Sequence, residues 1–185
     1  MDIPSAMMMK LFLPDLAIDS YAQLDLDALK KRGIRLLLCD IDNTLACHTD
    51  THCRPQAVKF LKAVQKQGLD VVLFTNNTKK HANRVMNGCP DFVIHWLCCK
   101  PLPFSFWFEM IRHRLKPSEV AVMGDQLFTD MLGGHLAGAY TILSSPLYED
   151  EPKDTQLMRH LEKPVFAWLE KQGRLKREGQ HVRIL

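Results

Sequence analysis

The chain carries at residues 36–44 the stretch LLLCDIDNT, an apolar run followed by two aspartates one residue apart. The apolar run predicts a buried β-strand, and side chains alternate faces along an extended chain. Asp40 and Asp42 can therefore point into one pocket while Ile41 points away. Two carboxylates this close favour a hard divalent cation such as Mg2+, which binds protein oxygens together with substrate phosphate. Read alone, the stretch is equally typical of an acidic turn that ends a strand.

The size and charge of the chain limit what it can be. Its 185 residues, 46% of them hydrophobic, predict one domain with a single substantial core. A net charge of +3 does not indicate general nucleic-acid binding. From Lys153 onward there are eight lysines and arginines against four acids, so the C-terminal segment is basic and the remainder slightly acidic.

The cysteines and the N-terminal sequence indicate the cellular compartment in which we expect the protein. Six cysteines are present, but Cys39 lies in the predicted core strand and Cys98 adjoins Cys99, so we expect reduced thiols. The N-terminal stretch has Asp2 in place of a basic region and does not resemble a signal peptide. No segment reaches the length of a membrane span. These features favour a cytoplasmic protein.

Apolar runs typical of β-strands alternate with segments of helical periodicity. The predicted strands are 35–39, 70–74, 92–94, 120–123 and 140–143, and the predicted helices are 56–67, 79–86, 104–115 and 130–137. This alternation favours an α/β, Rossmann-like fold, with a mostly parallel sheet and helices on both faces. The core would span about 11–145 of one domain, 1–185. After a polar loop at 144–154, an amphipathic helix that Pro164 should bend or split and a basic tail from Gly173 make up 155–185.

Polar groups follow several predicted strands at the point where each strand ends. Asp40 and Asp42 follow the first, Thr75-Asn76-Asn77 the second, and Gly124-Asp125 the fourth, while Lys100-Pro101 comes shortly after the third. The carboxyl ends of parallel strands form the ligand site in folds of this type. We therefore expect these groups to lie at one edge of the sheet.

Together these segments resemble the four motifs of the haloacid dehalogenase (HAD) superfamily phosphatases, in the same order. More narrowly, the stretch GDQLFTDMLGGHLAG at 124–138 and Leu13-Pro14-Asp15 are similar to the YqeG family of subfamily IIIA. The resemblance covers about 11–143. It implies a Mg2+-dependent phosphomonoester hydrolase that acts through an aspartyl-phosphate.

The resemblance also implies roles for the two leading aspartates and the metal ligands. Asp40 would attack phosphorus and Asp42 would serve as general acid and then base. The metal would be held by Asp40, Asp125 and the backbone carbonyl of Asp42. Asp130 would support the metal site or orient Lys100, although an aspartate here can also be a helix N-cap.

Phosphate binding is assigned in the same way. Thr75 and the following amide, that of Asn76, would hold phosphate oxygens, and Lys100 would neutralise developing charge. Thr44 would stabilise the nucleophile loop. Taken alone, Thr75-Asn76-Asn77 is typical of a turn and Lys100-Pro101 of an exposed lysine before a loop.

The segment Cys47-His48-Thr49-Asp50-Thr51-His52-Cys53 holds four ligands that zinc accepts. Its spacing does not match the paired CxxC pattern of structural zinc sites. A solvated loop beside the active site is the interpretation we favour.

The spacing between motifs bears on the substrate. Between Thr44 and Thr75, and between Asn77 and Lys100, there is room for one helix and its turns. HAD enzymes that select small metabolites usually insert a cap domain at one of these points, so the resemblance implies a capless, open site. An open site suits a phosphate on a large or surface-presented substrate, or a homo-oligomer whose partner covers it.

YqeG-like proteins are similar to mitochondrial phosphatidylglycerophosphate phosphatases, which makes that lipid the first substrate to consider. The C-terminal helix and basic tail would then contact an anionic membrane at its periphery, with Phe166 and Trp168 at the interface. The alternative is a helix packed on the sheet, followed by a solvated tail. Phosphatases of nucleic-acid ends or of phosphoproteins, and a low-activity phosphate- or partner-binding scaffold, remain open.

Overall fold

The computed structural model describes residues 3–89, 91–148 and 152–185 of the chain. Within these ranges six parallel strands form one sheet in the order β1-β6-β5-β2-β3-β4. A separate antiparallel hairpin pairs β7 with β8. The strands are β1 Leu16–Ile18, β2 Leu36–Asp40, β3 Asp70–Phe74, β4 Val93–His95, β5 Val120–Gly124, β6 Tyr140–Ser144, β7 Leu175–Glu178 and β8 His181–Ile184.

Helices cover both faces of the sheet. They are α1 Ile3–Phe12, α2 Leu26–Lys31, α3 Pro55–Lys66, α4 Lys79–Val85, α5 Phe104–His113, α6 Leu132–Ala137 and α7 Lys153–Lys171. The side chains of β2 alternate between two cores: Leu37 and Cys39 pack in one, and Leu36 and Leu38 in the other. A strand buried on both faces has no polar face, which explains its continuous apolar run. The predicted α/β architecture is confirmed.

The five predicted strands are present with ends within one residue of those expected. The helices at α3, α4 and α5 are likewise present, and α5 ends two residues earlier than predicted. The helix predicted from Asp130 begins instead with a single π-helical turn at Leu127–Met131, and regular α6 follows from Leu132. This wider turn brings Asp130 toward the end of β5, where its carboxylate lies against Gly124.

The C-terminal segment differs from the prediction. The residues from Gly173 onward form the β7–β8 hairpin, because Leu175 and Val182 are buried in a third core with Val165 and Leu169 of α7. Most residues of the hairpin are polar, so it depends on the burial of these two apolar side chains against α7. The prediction that these basic residues form a tail is therefore wrong, because they form a hairpin.

α7 is not split at Pro164 and runs unbroken from Lys153 to Lys171. Proline removes one hydrogen bond, but contacts on both sides of it hold the helix against the core. Glu162 accepts hydrogen bonds from the turn after β5, and Val165 and Leu169 are buried. Phe166 and Trp168, expected at a membrane interface, pack against the same third core.

The polar loop predicted at 144–154 is shorter than expected, because β6 continues to Ser144 and α7 begins at Lys153. Residues 149–151 of that loop lie outside the described residues. All six cysteines are free thiols. Among the described helices, none has the length and apolar character needed to cross a membrane.

Candidate active site

The carboxyl ends of the central strands bring the predicted motifs to one edge of the sheet. Asp40 ends β2, Thr75 follows β3 and Asp125 follows β5. A cavity of about 480 Å³ opens here. It is lined by Asp40, Asp42, Thr75, Asn76, Asn77, Lys100, Pro101, Gln126, Phe128, Thr129, Leu132, Thr155, Met158 and Leu161.

Lys100 is the central cation of this site. Its Nζ lies 2.6 Å from Oδ1 of Asp40 and 2.6 Å from Oδ1 of Asp130, and all three side chains are buried. Burial opposes the charge of Lys100, but the carboxylates of Asp130 and Asp40 outweigh it and raise the pKa of the ammonium above its usual value. Lys100 therefore stays charged beside the predicted nucleophile.

Asp130 also accepts hydrogen bonds from the backbone N–H of Gln126 at 3.2 Å and from the Thr129 hydroxyl at 3.3 Å. These contacts fix its second carboxylate oxygen, Oδ2, while Oδ1 receives Lys100. The arrangement corresponds to an aspartate that orients Lys100, one of the two roles expected of it, and not to a helix cap.

Three buried carboxylates are close enough to share a cation. One oxygen each of Asp40, Asp125 and Asp130 lie within 4.8 Å of one another. Burial raises the pKa of Asp40 well above its usual range, and Asp130 and Asp125 raise it further, while Lys100 lowers it. The donor set contains only oxygen, which fits a hard divalent ion such as Mg2+. The side chain of Asp42 does not join this group.

Asp125 is buried and is not among the residues that line the cavity, and it accepts hydrogen bonds from Thr44 and Arg159. Thr44, fully buried in the nucleophile loop, donates to Oδ1 of Asp125 at 3.5 Å. Arg159 of α7 donates to Oδ2 and, at 2.6 Å, to the backbone carbonyl of Asp125. Thr44 thus links the loop after β2 to the loop after β5, and α7 supplies a cation to a predicted metal ligand.

Asp42 turns toward α4, where it makes three hydrogen bonds. Oδ2 accepts from the Thr75 hydroxyl at 2.7 Å and from Asn77 at 3.1 Å, and Oδ1 lies 2.5 Å from Nε2 of His81. Burial opposes ionisation, yet the hydrogen bonds from His81, Asn77 and Thr75 outweigh it and hold the pKa of Asp42 below its usual value. Asp42 is therefore a carboxylate in this arrangement.

The contacts of His81 assign its tautomer. Arg84, which can only donate, lies 3.1 Å from Nδ1 of His81. Nδ1 must therefore accept this hydrogen bond. The ring proton then lies on Nε2, which donates a hydrogen bond to Asp42. This pair was not predicted from sequence, where a histidine at the start of a helix has no visible partner.

Asn76 is tied to the main chain of Lys100. Its amide donates to the Lys100 carbonyl at 3.0 Å, and its carbonyl oxygen accepts from the Lys100 N–H at 2.7 Å. The Asn76 side chain thus positions the lysine, whereas a phosphate contact by its backbone amide stays a prediction. Thr75, besides donating to Asp42, accepts from the N–H of Asn77 at 2.9 Å.

α7 contributes two further residues that the sequence did not place at the site. Glu162 accepts from the N–H of Leu127 at 2.5 Å and that of Phe128 at 3.3 Å, and pairs with Arg159 at 3.3 Å. One sequence feature could have indicated this role. Glu162 shares a helix face with Val165 and Leu169, and a charge on an apolar face needs a buried partner.

The loop at 47–53 is held by a different interaction from the one that its cysteines and histidines suggest. Asp50 binds Arg54 at 2.6 and 2.9 Å and accepts from the N–H of Cys47 at 2.9 Å. Cys53 packs against the first core. Across the described residues, the carboxylate group of Asp40, Asp125 and Asp130 is the cluster suited to a metal, and this loop forms none.

Comparisons with known proteins agree with this geometry. The chain is 28% identical over 174 residues to the probable phosphatase YqeG of Bacillus subtilis, covering 93% of this chain and 99% of that protein. It is 26% identical to phosphatidylglycerophosphate phosphatase 1 of Arabidopsis thaliana, of which it spans about half (49%), with 86% of this chain covered. Among solved structures, the 4-nitrophenylphosphatase of Thermotoga maritima has a TM-score of 0.53 at 14% identity, covering 68% of this chain and 91% of that one.

The last of these likenesses concerns the fold alone. The family assignment comes from the sequence of the core, which holds Asp40, Thr75 and Asp125 at the ends of adjacent strands and Lys100 five residues after β4. Residues 17–138 match the haloacid dehalogenase-like hydrolases, and the chain belongs to that family.

Proposed function

We propose that the chain is a Mg2+-dependent phosphomonoesterase with Asp40 as its nucleophile. The observation that carries the proposal is the position of Asp40, on the cavity surface with Oδ1 held 2.6 Å from the buried Lys100. We assign the attack on phosphorus to Oδ2. The bond from phosphorus to the leaving oxygen breaks as the new bond to Asp40 forms, which leaves an aspartyl-phosphate. The B. subtilis relative, described as a probable phosphatase, supports the reaction class.

Asp42 would move the protons. Its pKa is held low by His81, Asn77 and Thr75, so it is ionised before substrate arrives. A phosphate dianion entering the cavity brings like charge close to Asp42 and raises its pKa, so that Asp42 takes up a proton from solvent and gives it to the leaving alkoxide. Asp42 is then a carboxylate again and takes a proton from the water that attacks the aspartyl-phosphate. Phosphate leaves and Asp40 is restored.

The remaining groups would bind charge. Lys100 and the amides after β3 face the phosphoryl oxygens, where donors placed in advance stabilise the transition state. Asp40 and Asp125 would hold Mg2+, with Asp130 beside them and the backbone carbonyl of Asp42 as the further predicted ligand. When bound, the ion would screen the repulsion between the phosphate and the Asp40 carboxylate.

For the substrate we propose a phosphate on a large or surface-presented molecule, with phosphatidylglycerophosphate as the first candidate. The stretches between β2 and β3 and between β3 and Lys100 contain α3, α4 and β4, so neither holds an inserted cap domain. One side of the cavity is apolar, with Phe128, Leu132, Met158 and Leu161 in its lining. A cavity lined by charged residues next to apolar residues suits an amphiphilic substrate. The Arabidopsis relative, a phosphatidylglycerophosphate phosphatase, supports the same lipid.

Release of phosphate from an aryl phosphate, measured with and without Mg2+, tests the reaction class. Wild type should turn over only with the metal, and Asp40→Asn should lose on the order of 10³-fold or more in kcat. Acid quenching during turnover of labelled substrate should trap phosphate on wild type and none on Asp40→Asn. The exposed Asp91→Asn is the matched control and should behave as wild type. Equal turnover by Asp40→Asn would exclude the assigned nucleophile.

A further inference from the structure

One face of α5 is apolar and exposed. Phe104, Trp107, Phe108 and Ile111 follow the helical spacing i, i+3, i+4, i+7, and they are 67%, 41%, 56% and 77% exposed. The opposite face carries the buried side chains of α5, including Phe106. Soluble helices normally turn one apolar stripe to the core and a polar face to water. α5 has a second apolar stripe that the core does not use.

This stripe is part of a larger surface at the edge of the sheet. β4 is the edge strand, and its Val93, with Trp96 and Leu97 just beyond it, is exposed. A shallow groove is lined by these three residues together with Phe108 and Arg112. We define the α5 surface by its exposed apolar members: Val93, Trp96, Leu97, Leu102, Phe104, Trp107, Phe108 and Ile111. An exposed patch of this kind marks a binding surface.

Cations border the α5 surface. Nζ of Lys79 lies 6.0 Å above the ring of Trp96, Arg112 lines the groove, and Arg114 is exposed at the end of the helix. Glu109 of α5 is buried and paired with Arg112, so it adds no exposed negative charge. Two exposed acids also lie nearby: Asp91, two residues before β4, and Asp70, whose carboxylate lies 3.1 Å from Nδ1 of His113. The border therefore presents cations at two places, beside Trp96 and at the end of α5, where they can meet an anionic surface.

The α5 surface adjoins the entrance of the active site. Lys100 and Pro101 line the cavity, and Leu102 is the next residue of the chain. On the other side, the N–H of Leu97 donates to the carbonyl of Asn77 at 3.0 Å, which fastens the exposed loop to the residues after β3. Whatever covers the α5 surface therefore lies next to the phosphate-binding groups.

We propose that the α5 surface docks on an anionic phospholipid bilayer. Phenylalanine and tryptophan side chains would enter the headgroup–acyl boundary with α5 lying in the plane, and the cations would meet lipid phosphates. We favour a bilayer over a second copy of the chain, because the surface adjoins the entrance of a cavity whose proposed substrate is a lipid. The proposal rests on the phosphatase function and deepens it, since docking places the cavity entrance at headgroup level. It also moves the membrane contact away from the second half of α7, where Phe166 and Trp168 pack against the third core.

Vesicle flotation tests the docking, with phosphatidylcholine alone and phosphatidylcholine mixed with phosphatidylglycerol. Wild type should bind the mixed vesicles, and binding should weaken as salt is raised. The double variant Phe104→Glu/Ile111→Glu changes the two most exposed α5 side chains, neither of which lines the cavity, and should bind at least about tenfold less. The matched control, Leu157→Glu/Leu185→Glu, alters exposed leucines at the C-terminal segment and should bind as wild type.

Quenching by brominated lipid gives a second readout. Trp96 and Trp107 lie in the α5 surface, whereas Trp168 packs against the third core. Trp96→Phe/Trp107→Phe should lose the quenching, and Trp168→Phe should keep it. Quenching that depends on Trp168 alone would overturn the proposal.

The remaining outcomes separate docking from catalysis. Hydrolysis of a soluble aryl phosphate by Phe104→Glu/Ile111→Glu should match wild type, while its hydrolysis of phosphatidylglycerophosphate in vesicles should fall with binding. Unchanged vesicle binding in this variant, or a wild-type dimer that the variant dissociates, would overturn the docking proposal and leave the phosphatase proposal intact. Vesicle binding by a wild type that hydrolyses no aryl phosphate would overturn only the latter.

Discussion

Glu162 is a buried carboxylate whose ionisation should set how firmly α7 holds to the core. It is 1% exposed and accepts from the N–H groups of Leu127 and Phe128. Burial raises its pKa from 4.5 to about 7, with Arg159 opposing and Asp125 adding to the shift. The substitution Glu162→Gln keeps an acceptor for the N–H groups and removes the titration.

The size and sign of the effect follow from the shift. Below about pH 4.5 the carboxyl is protonated in both the folded and the unfolded chain. As the pH rises, the unfolded chain ionises first while the folded site resists, so the free energy of unfolding of wild type falls until the pH passes about 7. A rise of about 2.5 pKa units corresponds to about 3 kcal/mol. For a domain of this size that is roughly 6–12 °C in Tm.

The assay is denaturant unfolding at several pH values in the presence of a chelator, which keeps metal binding at Asp125 out of the comparison. Glu162→Gln should gain about 3 kcal/mol relative to wild type between about pH 5 and about pH 8. Glu170→Gln, on the same helix but partly exposed and paired with Arg177, is the matched control. If the free energies of unfolding of wild type and Glu162→Gln change in parallel over this range, the pKa of Glu162 is not raised by burial.

Two further substitutions test the interior of the site. Lys100→Met leaves the carboxylates of Asp40 and Asp130 buried without their cation, so unfolding should cost about 3–5 kcal/mol less and aryl phosphatase activity should vanish; an unchanged denaturation midpoint would contradict this. Gly133→Ala improves helix propensity by about 1 kcal/mol, but its Cβ would lie 2.8 Å from Cε2 of the buried Phe106. The net result should be a loss of about 1–3 kcal/mol, and a higher Tm would count against the tight packing inferred there.

The sheet and its catalytic edge could be predicted because their determinants are local. A strand buried on both faces needs an apolar run, as at Leu36 to Cys39, and its carboxyl end then carries the polar groups that follow it in sequence. The rule that ligands bind at these ends places Asp40, Thr75 and Asp125 together without any knowledge of side-chain contacts. The contacts between distant parts of the chain that this prediction needs are those between neighbouring parallel strands.

The short β1 and the C-terminal hairpin could not be predicted, because neither has a strong local pattern. β1 has three residues and, among the strands of the described ranges, pairs with β6 alone. In β7 and β8 most residues are polar, and burial of Leu175 and Val182 depends on α7 being in place. Tertiary packing decides such segments, not intrinsic propensity.

The exposed apolar stripe on α5 could not be predicted from the sequence for a different reason. A helix with apolar residues on two faces has the same composition as one that is buried all round, and only the neighbours decide which face is covered. Here the sheet covers Phe106 and Met110, and β4 ends the sheet before it can cover Phe108. An edge strand therefore turned a helix of ordinary appearance into a candidate membrane surface.

Selectivity among family members should be sought in α7. The family match ends at residue 138, yet Thr155, Met158 and Leu161 line the cavity and Arg159 holds Asp125. The residues proposed to carry out the chemistry thus lie in the core that the family shares. One wall of the cavity, and the arginine that binds the predicted metal ligand Asp125, belong to α7, which lies outside the family match. The B. subtilis relative is matched over 93% of this chain, so it extends over this helix as well. We therefore expect exchanges at Met158 or Leu161 to change which phosphomonoester is preferred and to leave the proposed dependence on Mg2+ unchanged.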